Sequence, residues 1–167
     1  MNLKDEAKNI FESTLEKVNP RKFLPDIVEF NKEESFFKVF DSVFDLNDQH
    51  PLYIIGTGKA AHTMAAALEQ IFGNAISDGL IIIPPDTGQE LRVIKAVEGS
   101  HPIPDEKSFS ATKELLRFIE NIPSEAIVFY LLSGGTSALF SSPVDEITHS
   151  QFSELYRLLV ESGASIQ

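Results

Sequence analysis

Residues 52–73 read LYIIGTGKAAHTMAAALEQIFG. Four apolar residues, Leu52 to Ile55, run into Gly56-Thr57-Gly58, and the chain continues through an Ala-rich stretch from Lys59 to Phe72 before stopping at Gly73. A short apolar run that ends in glycines reads as a buried strand. The Ala-rich stretch reads as a helix, and Gly73 is a suitable residue just past its end. The segment is therefore strand, glycine turn, helix, with the turn at the carboxyl end of the strand.

The same alternation continues downstream. Gly79 to Ile83 is a second buried strand, stopped by Pro84-Pro85, and Leu91 to Val97 is a third, with Val93, Lys95 and Val97 alternating with Arg92, Ile94 and Ala96. Pro104 and Asp105 start a helix that runs to Glu120. Ile127 to Leu132 is a fourth strand and leads into Ser133-Gly134-Gly135. Thr136 to Phe140 reads as a short helix. Thr148 to Glu161 reads as a longer one, with Thr148 and Gln151 at capping-box spacing and Gly163 as terminator. Strands alternating with helices predict an α/β fold, a Rossmann-like, doubly wound, mostly parallel sheet with helices on both faces.

Upstream the pattern is less regular. Leu3, Ala7, Ile10, Phe11, Leu15 and Val18 recur at helical spacing, and Asn19-Pro20 stops that helix. Phe23 to Phe30 fits a short helix or a strand. Phe36, Phe37, Val39, Phe40, Val43 and Phe44 suggest a second helical stretch. Charged residues are interleaved from Lys4 to Lys17, so the N-terminus is an amphipathic helix and not a signal peptide.

Composition narrows the function classes. The chain has 167 residues, 43% hydrophobic and 23% charged, with thirteen Phe against three Tyr and no Trp. Buried Phe needs no hydrogen-bond partner, so this usage points to a large apolar core. The net charge of -11 argues against nucleic acid or an anionic membrane as partner. The absence of cysteine excludes disulfides and thiolate metal sites. The longest apolar run, Ala126 to Leu132, is too short to span a bilayer. The expectation is a soluble cytoplasmic protein.

Ligands of open α/β sheets bind beyond the carboxyl ends of strands, where both glycine clusters fall. Gly56-Thr57-Gly58-Lys59-Ala60-Ala61 matches G-x-G-x-x-A, the dinucleotide fingerprint with Ala last. The acidic residue that would hold a ribose is misplaced, because Asp78 precedes the second strand instead of following it. A phosphate-binding P-loop fails too: Ala60 replaces the magnesium-binding hydroxyl, and Tyr53 stands where the first glycine should be. Two readings stand: an anion site with Lys59 as its point charge, or a tight strand–helix turn whose Lys faces solvent.

Ser133-Gly134-Gly135-Thr136-Ser137 surrounds paired glycines with three hydroxyls and makes a nest for phosphate or carboxylate. Capping of the next helix by Thr136 or Ser137 is compatible with that role. Glu98-Gly99-Ser100-His101-Pro102-Ile103-Pro104-Asp105 also follows a strand and presents Ser100 and His101 on a proline-stiffened loop. By itself His101 reads as loop-fixing and Asp105 as a helix cap. His62 reads as packed or solvent-facing, and His50 and His149 lie in or near loops. No His and carboxylates have metal-ligand spacing.

Taken in order, these segments resemble the glycerate 2-kinases that carry a C-terminal MOFRL domain. The resemblance rests on Gly56 to Ala61 with Met64-Ala65, Asp78-Gly79-Leu80, Glu98 to Asp105, Ser133 to Leu139, and Ser162-Gly163-Ala164-Ser165-Ile166. It implies that residues 1–167 are an incomplete N-terminal Rossmann-like domain and that the second domain lies outside this sequence. It implies transfer of the ATP γ-phosphoryl group to D-glycerate with Mg²⁺, Lys59 being catalytic. Gly56, Gly58, Ser133, Gly134, Gly135, Thr136, Ser137, Ser100 and His101 would bind substrate or phosphate. The piece alone is expected to be inactive. Thr136 departs from the resemblance, since a third glycine or another small residue is usual there. An NAD(P)H-dependent hydroxypyruvate reductase and a non-catalytic sugar-phosphate-binding module are the alternatives.

Overall fold

The computed structural model describes residues 2–88 and 90–163. Helix α1 (Leu3–Lys17) is capped by the Asn2 side chain. Its apolar residues Leu3, Ile10, Phe11 and Leu15 are exposed, and it buries none. Asn19-Pro20 ends α1 and also starts α2 (Pro20–Ile27): Asn19 accepts the Arg21 amide as N-cap, and Pro20 takes the first turn, where its missing N–H costs nothing.

The following segment corrects the sequence reading. Residues 28–45 form a small antiparallel sheet of β1 (Val28–Asn31), β2 (Phe36–Val39) and β3 (Ser42–Asp45), not a second helix. Val39 pairs with Ser42 across a two-residue turn in which Phe40 has φ 51°. Phe37 drives the outcome. It is 1% exposed and lies 5.2 Å from Phe72 and 5.5 Å from Phe129, ring centre to ring centre. Phe30 joins at 5.1 Å from Phe72. This aromatic cluster is where much of the Phe-rich composition goes. A strand delivers Phe37 alone to it, with neighbours Phe36 and Lys38 turned outward.

The main sheet is parallel, with strands β4 (Leu52–Thr57), β5 (Ile76–Ile83), β6 (Ile94–Glu98) and β7 (Ile127–Leu132) in the spatial order β6-β5-β4-β7. Helix α3 (Ala61–Phe72) joins β4 to β5 and covers one face, where Ala65, Leu68 and Phe72 pack on Ile54, Ile81 and Ile83. Helix α4 (Glu106–Glu120) joins β6 to β7 and covers the other, with Ala111 and Leu115 against Leu80 and Ile82. The expected sheet with helices on both faces is present. On the α4 side, Val128, Tyr130 and Leu132 of edge strand β7 remain substantially exposed. Helices α5 (Thr136–Leu139) and α6 (His149–Ser162) follow, α6 with the expected capping box and Gly163 as its left-handed C-cap. Among the described residues no helix is long and apolar enough to cross a membrane.

The third strand begins at Ile94, later than its apolar pattern predicts, because Glu69 of α3 intercepts the chain first. Its carboxylate accepts the amides of Arg92 (2.9 Å), Val93 (2.8 Å) and Ile94 (3.0 Å), while the Arg92 guanidinium donates to the Glu69 carbonyl (3.1 Å). The β5–β6 connection has no helix, and this clamp anchors it. Burial raises the Glu69 carboxyl, but the three amides and Arg92 outweigh burial and hold it below the usual glutamate value.

Glu69→Ala is expected to cost about 1–3 kcal/mol by stranding three amides, or roughly 2–4 °C in Tm per kcal/mol. The folded-state pKa is depressed, so this contribution is present above the unfolded glutamate value and is lost as pH falls through the folded one. Thermal melts should show less stability lost on acidification in Glu69→Gln than in the parent; equal slopes would refute the assignment.

Candidate functional site

The strand order places a topological switch point between β4 and β7. The chain steps from β4 to β5 to β6 in one direction and then crosses back to the far side of β4. Helices leave adjacent carboxyl ends toward opposite faces, and the crevice between them takes ligands in open α/β sheets. The two glycine loops are the carboxyl termini of these two strands and sit against each other.

Three hydrogen bonds lace the loops together. Ser133 N–H donates to Thr57 O (3.1 Å), Lys59 N–H to Gly134 O (3.0 Å), and Ala60 N–H to Ser133 Oγ (3.0 Å). Gly58 makes the approach possible: at φ +119°, an added Cβ would lie 2.3 Å from Ser133 Oγ. Ser133 therefore caps the approach to α3 from the neighbouring strand. Lys59 precedes the helix proper, which begins at Ala61 and not at Lys59 as the sequence suggests.

The third loop reaches the same place. Gly135 has φ +93°, and a Cβ there would meet His101 Cδ2 at 2.9 Å and Lys59 Cγ at 3.3 Å. Lys59, His101 and Gly135 thus converge, one from each predicted segment. Lys59 is exposed and His101 half-buried. Burial, and then the Lys59 ammonium, hold the imidazole below its usual pKa, so His101 is neutral at pH 7. Behind it Ser100 braces the loop. Its amide donates to Ser108 Oγ (2.9 Å), and its hydroxyl bonds Asp105. Asp105 is the N-cap of α4, taking the Lys107 amide at 2.8 Å. Burial raises its carboxyl, but Ser100 and the amides of Lys107 and Ser108 outweigh that and lower it.

Beyond Gly135, the amides of Thr136 and Ser137 open α5 and, like that of Gly135, donate to no acceptor among the described residues. These three N–H groups follow one another in a stretch whose first residue, Gly135, packs against Lys59 and His101, and amides without protein acceptors are suited to an anion. The Thr136 side chain does not crowd it. Its hydroxyl turns inward, 2.8 Å from Ser133 O and 3.0 Å from both Thr57 O and Thr57 Oγ1. Gly56 lies beneath, packed against Leu131 and Ile81. Ser137 is exposed, and its carbonyl accepts the Tyr156 hydroxyl (2.8 Å).

Residues beyond the predicted site set complete the picture. Thr57 is 0% exposed and joins the Thr136 hydroxyl to Tyr130 Oη, 3.2 Å away. A lone hydroxyl at the end of a buried apolar strand was the available signal for it. His62 is buried, with Gly88 stacked on its ring. Asp78 lies in the amino-terminal half of β5, opposite Tyr53, and accepts its neighbour's amide at 2.7 Å. It is roughly 16 Å of strand away from the carboxyl end. Among the described residues no three His, Asp or Glu side chains are grouped to hold a metal. Of the Ser162-to-Ile166 motif, residues 164–166 lie outside the described residues.

The family described as "Domain of unknown function (DUF4147)" matches residues 6–167. A "Glycerate 2-kinase" of Pyrococcus horikoshii is 43% identical over 115 residues, covering 69% of this chain and 26% of that protein. The crystal structure of the PH0495 protein from the same organism superposes with a TM-score of 0.79 at 32% identity, over 99% of this chain and 37% of that one. The crystal structure of a glycerate kinase from Thermotoga maritima gives 0.71 at 26% identity, over 98% and 36%. The chain thus spans about a third of the length of the relatives it matches.

Two glycines test the packing of the loops. Gly58→Ala combines a positive φ with overlap on Ser133 and should cost about 1–3 kcal/mol or more. Gly134→Ala meets nothing within 4 Å and should change stability by less than about 0.5 kcal/mol. Chemical denaturation of both variants checks this; equal losses would mean that the loops do not touch as described.

Proposed function

Because this chain belongs to the DUF4147 family, we propose that the protein of which it forms the N-terminal Rossmann-like part is a glycerate kinase. It moves the γ-phosphoryl group of ATP to a hydroxyl of D-glycerate. The observation that carries the reading is the convergence of Lys59, His101 and the Gly135–Ser137 amides at the switch point. Such a seat binds a phosphate or carboxylate through local donors, whatever the net charge of the chain.

Phosphoryl transfer is mainly positioning and charge neutralisation, and these residues suit it. The amides fix the anion, and the Lys59 ammonium compensates charge that develops on the transferring oxygens. His101, neutral and half-buried beside Lys59, can donate or accept one hydrogen bond without adding charge. Gly56 and Gly58 shape the loop, while Ser133 and Ser100 brace it. Mg²⁺ would accompany the nucleotide phosphates. A second, MOFRL-type domain would supply the opposite wall of the cleft, and residues 1–167 alone would fold without turnover.

Hydride transfer is the weaker alternative, because the acid that would hold a dinucleotide ribose stands at the wrong end of β5. The intact protein should phosphorylate D-glycerate with ATP. Reduction of hydroxypyruvate by NADH or NADPH without ATP consumption would replace this reading.

Lys59→Ala in the intact protein should leave Tm unchanged or slightly raised, since a cation at a helix start is disfavoured by roughly 0.3–1 kcal/mol. Its kcat/KM should fall at least about a hundredfold, equivalent to about 2.7 kcal/mol. Lys59→Arg should rescue poorly, a planar fork being unlike a compact ammonium. Near-normal activity in the Ala variant would reduce Lys59 to a solvated turn residue.

A further inference from the structure

The geometry points to Tyr130, Thr57 and Thr136 as a one-directional chain of hydroxyls that sets the spacing of the two glycine loops. We assign them as positioning residues. Their role toward an anion rests on the functional reading above; their role in holding the loops does not.

Counting hydrogens fixes the direction. Thr136 Oγ1 lies 2.8 Å from Ser133 O and 3.0 Å from Thr57 O. Both are carbonyls and can only accept. The single Thr136 hydrogen must therefore point at that pair, shared between them. Its lone pair faces Thr57 Oγ1 at 3.0 Å, so Thr57 must be the donor there. Thr57 has then spent its hydrogen, and Tyr130 Oη, 3.2 Å away, must donate to it. Any other polarity sets oxygen lone pairs against each other at about 3 Å. The middle link, Thr57, is 0% exposed, so in the parent fold its hydroxyl is bonded by protein and not by water.

The chain joins the three parts whose relative position defines the seat. Tyr130 lies within β7, Thr57 ends β4, and Thr136 begins α5. Its terminus holds the carbonyls of Ser133 and Thr57 turned inward. Those oxygens would repel an anion, whereas the amides of Gly135, Thr136 and Ser137 attract one. A residue with a hydroxyl at position 136 is thereby useful, because a smaller one would leave the Ser133 carbonyl without this donor, while the Thr57 carbonyl would keep only the Ser133 amide; linked hydroxyls polarise one another in the same sense.

Hydrogen–deuterium exchange on the ligand-free intact protein tests this, because Lys59, Ala60 and Ser133 amides bond across the loops. Thr57→Val should speed exchange about tenfold in peptides covering 56–61 and 133–137 together, with α3 and β5 unchanged. Thr57→Ser should restore the parent rates. Tyr130→Phe should give a smaller rise, about threefold. Calorimetric titration with inorganic phosphate should show about tenfold weaker binding in Thr57→Val and parent-like binding in Thr57→Ser. Unchanged exchange in Thr57→Val, acceleration of one loop alone, or a Ser variant as defective as the Val variant would overturn the relay. A parent protein that binds no phosphate would overturn the anion reading instead, while the exchange rates would still decide the relay.

Discussion

The close approach of Gly58 to Ser133 is the contact on which the rest of the site depends. Two parallel strands end side by side, and their following loops must pass within hydrogen-bonding distance before diverging to opposite faces. Only a residue without Cβ at position 58 leaves room for the Ser133 side chain. Once that room exists, Ser133 caps the start of α3, Lys59 is pinned through its amide to Gly134, and Gly135 is carried beneath His101. The stretch of amides that begins at Gly135 and the Lys59 side chain are thus brought to one place by backbone packing.

On the proposed reading, this arrangement lets a chain of net charge -11 hold an anion. Attraction at a few ångströms depends on the nearest donors, and screening weakens the distant carboxylates within about 10 Å at ordinary ionic strength. Asp105, at the end of the third motif, is occupied as a helix cap and bonded by Ser100. Lys59 remains exposed.

Buried polar groups do much of the tertiary joining. Glu69 binds α3 to the start of β6 where the β5–β6 connection lacks a helix, and Thr57 with Thr136 binds the two loops at the crest of the sheet. Glu69 takes three consecutive amides at the start of β6 and so replaces a missing ladder, whereas Thr136 adds a donor to the Ser133 carbonyl and to the Thr57 carbonyl, which the Ser133 amide already bonds. The apolar clusters on the two faces hold the layers together but cannot set such registers, because hydrophobic contact is not directional.

The alternation of strand and helix, the caps at Asp105 and Thr148, and the placement of both glycine loops were legible from the sequence, because each depends on residues within a few positions of one another. The convergence of Lys59, His101 and Gly135 was only half legible: the motifs named the residues, but the strand order that brings them together is not local. Residues 28–45 were misread because their apolar spacing fits a helix in isolation, and Phe37 becomes a strand residue by meeting Phe72 and Phe129. Glu69 carries no local signal of its role, because its three amide partners come from residues 92–94. Thr136 stood out only as a departure from the resemblance, and the inward turn of its hydroxyl depends on Thr57 and Ser133. Sequence alone determined what can be decided by local periodicity and backbone stereochemistry; tertiary structure decided everything that needs a partner more than twenty residues away, because only packing supplies that partner.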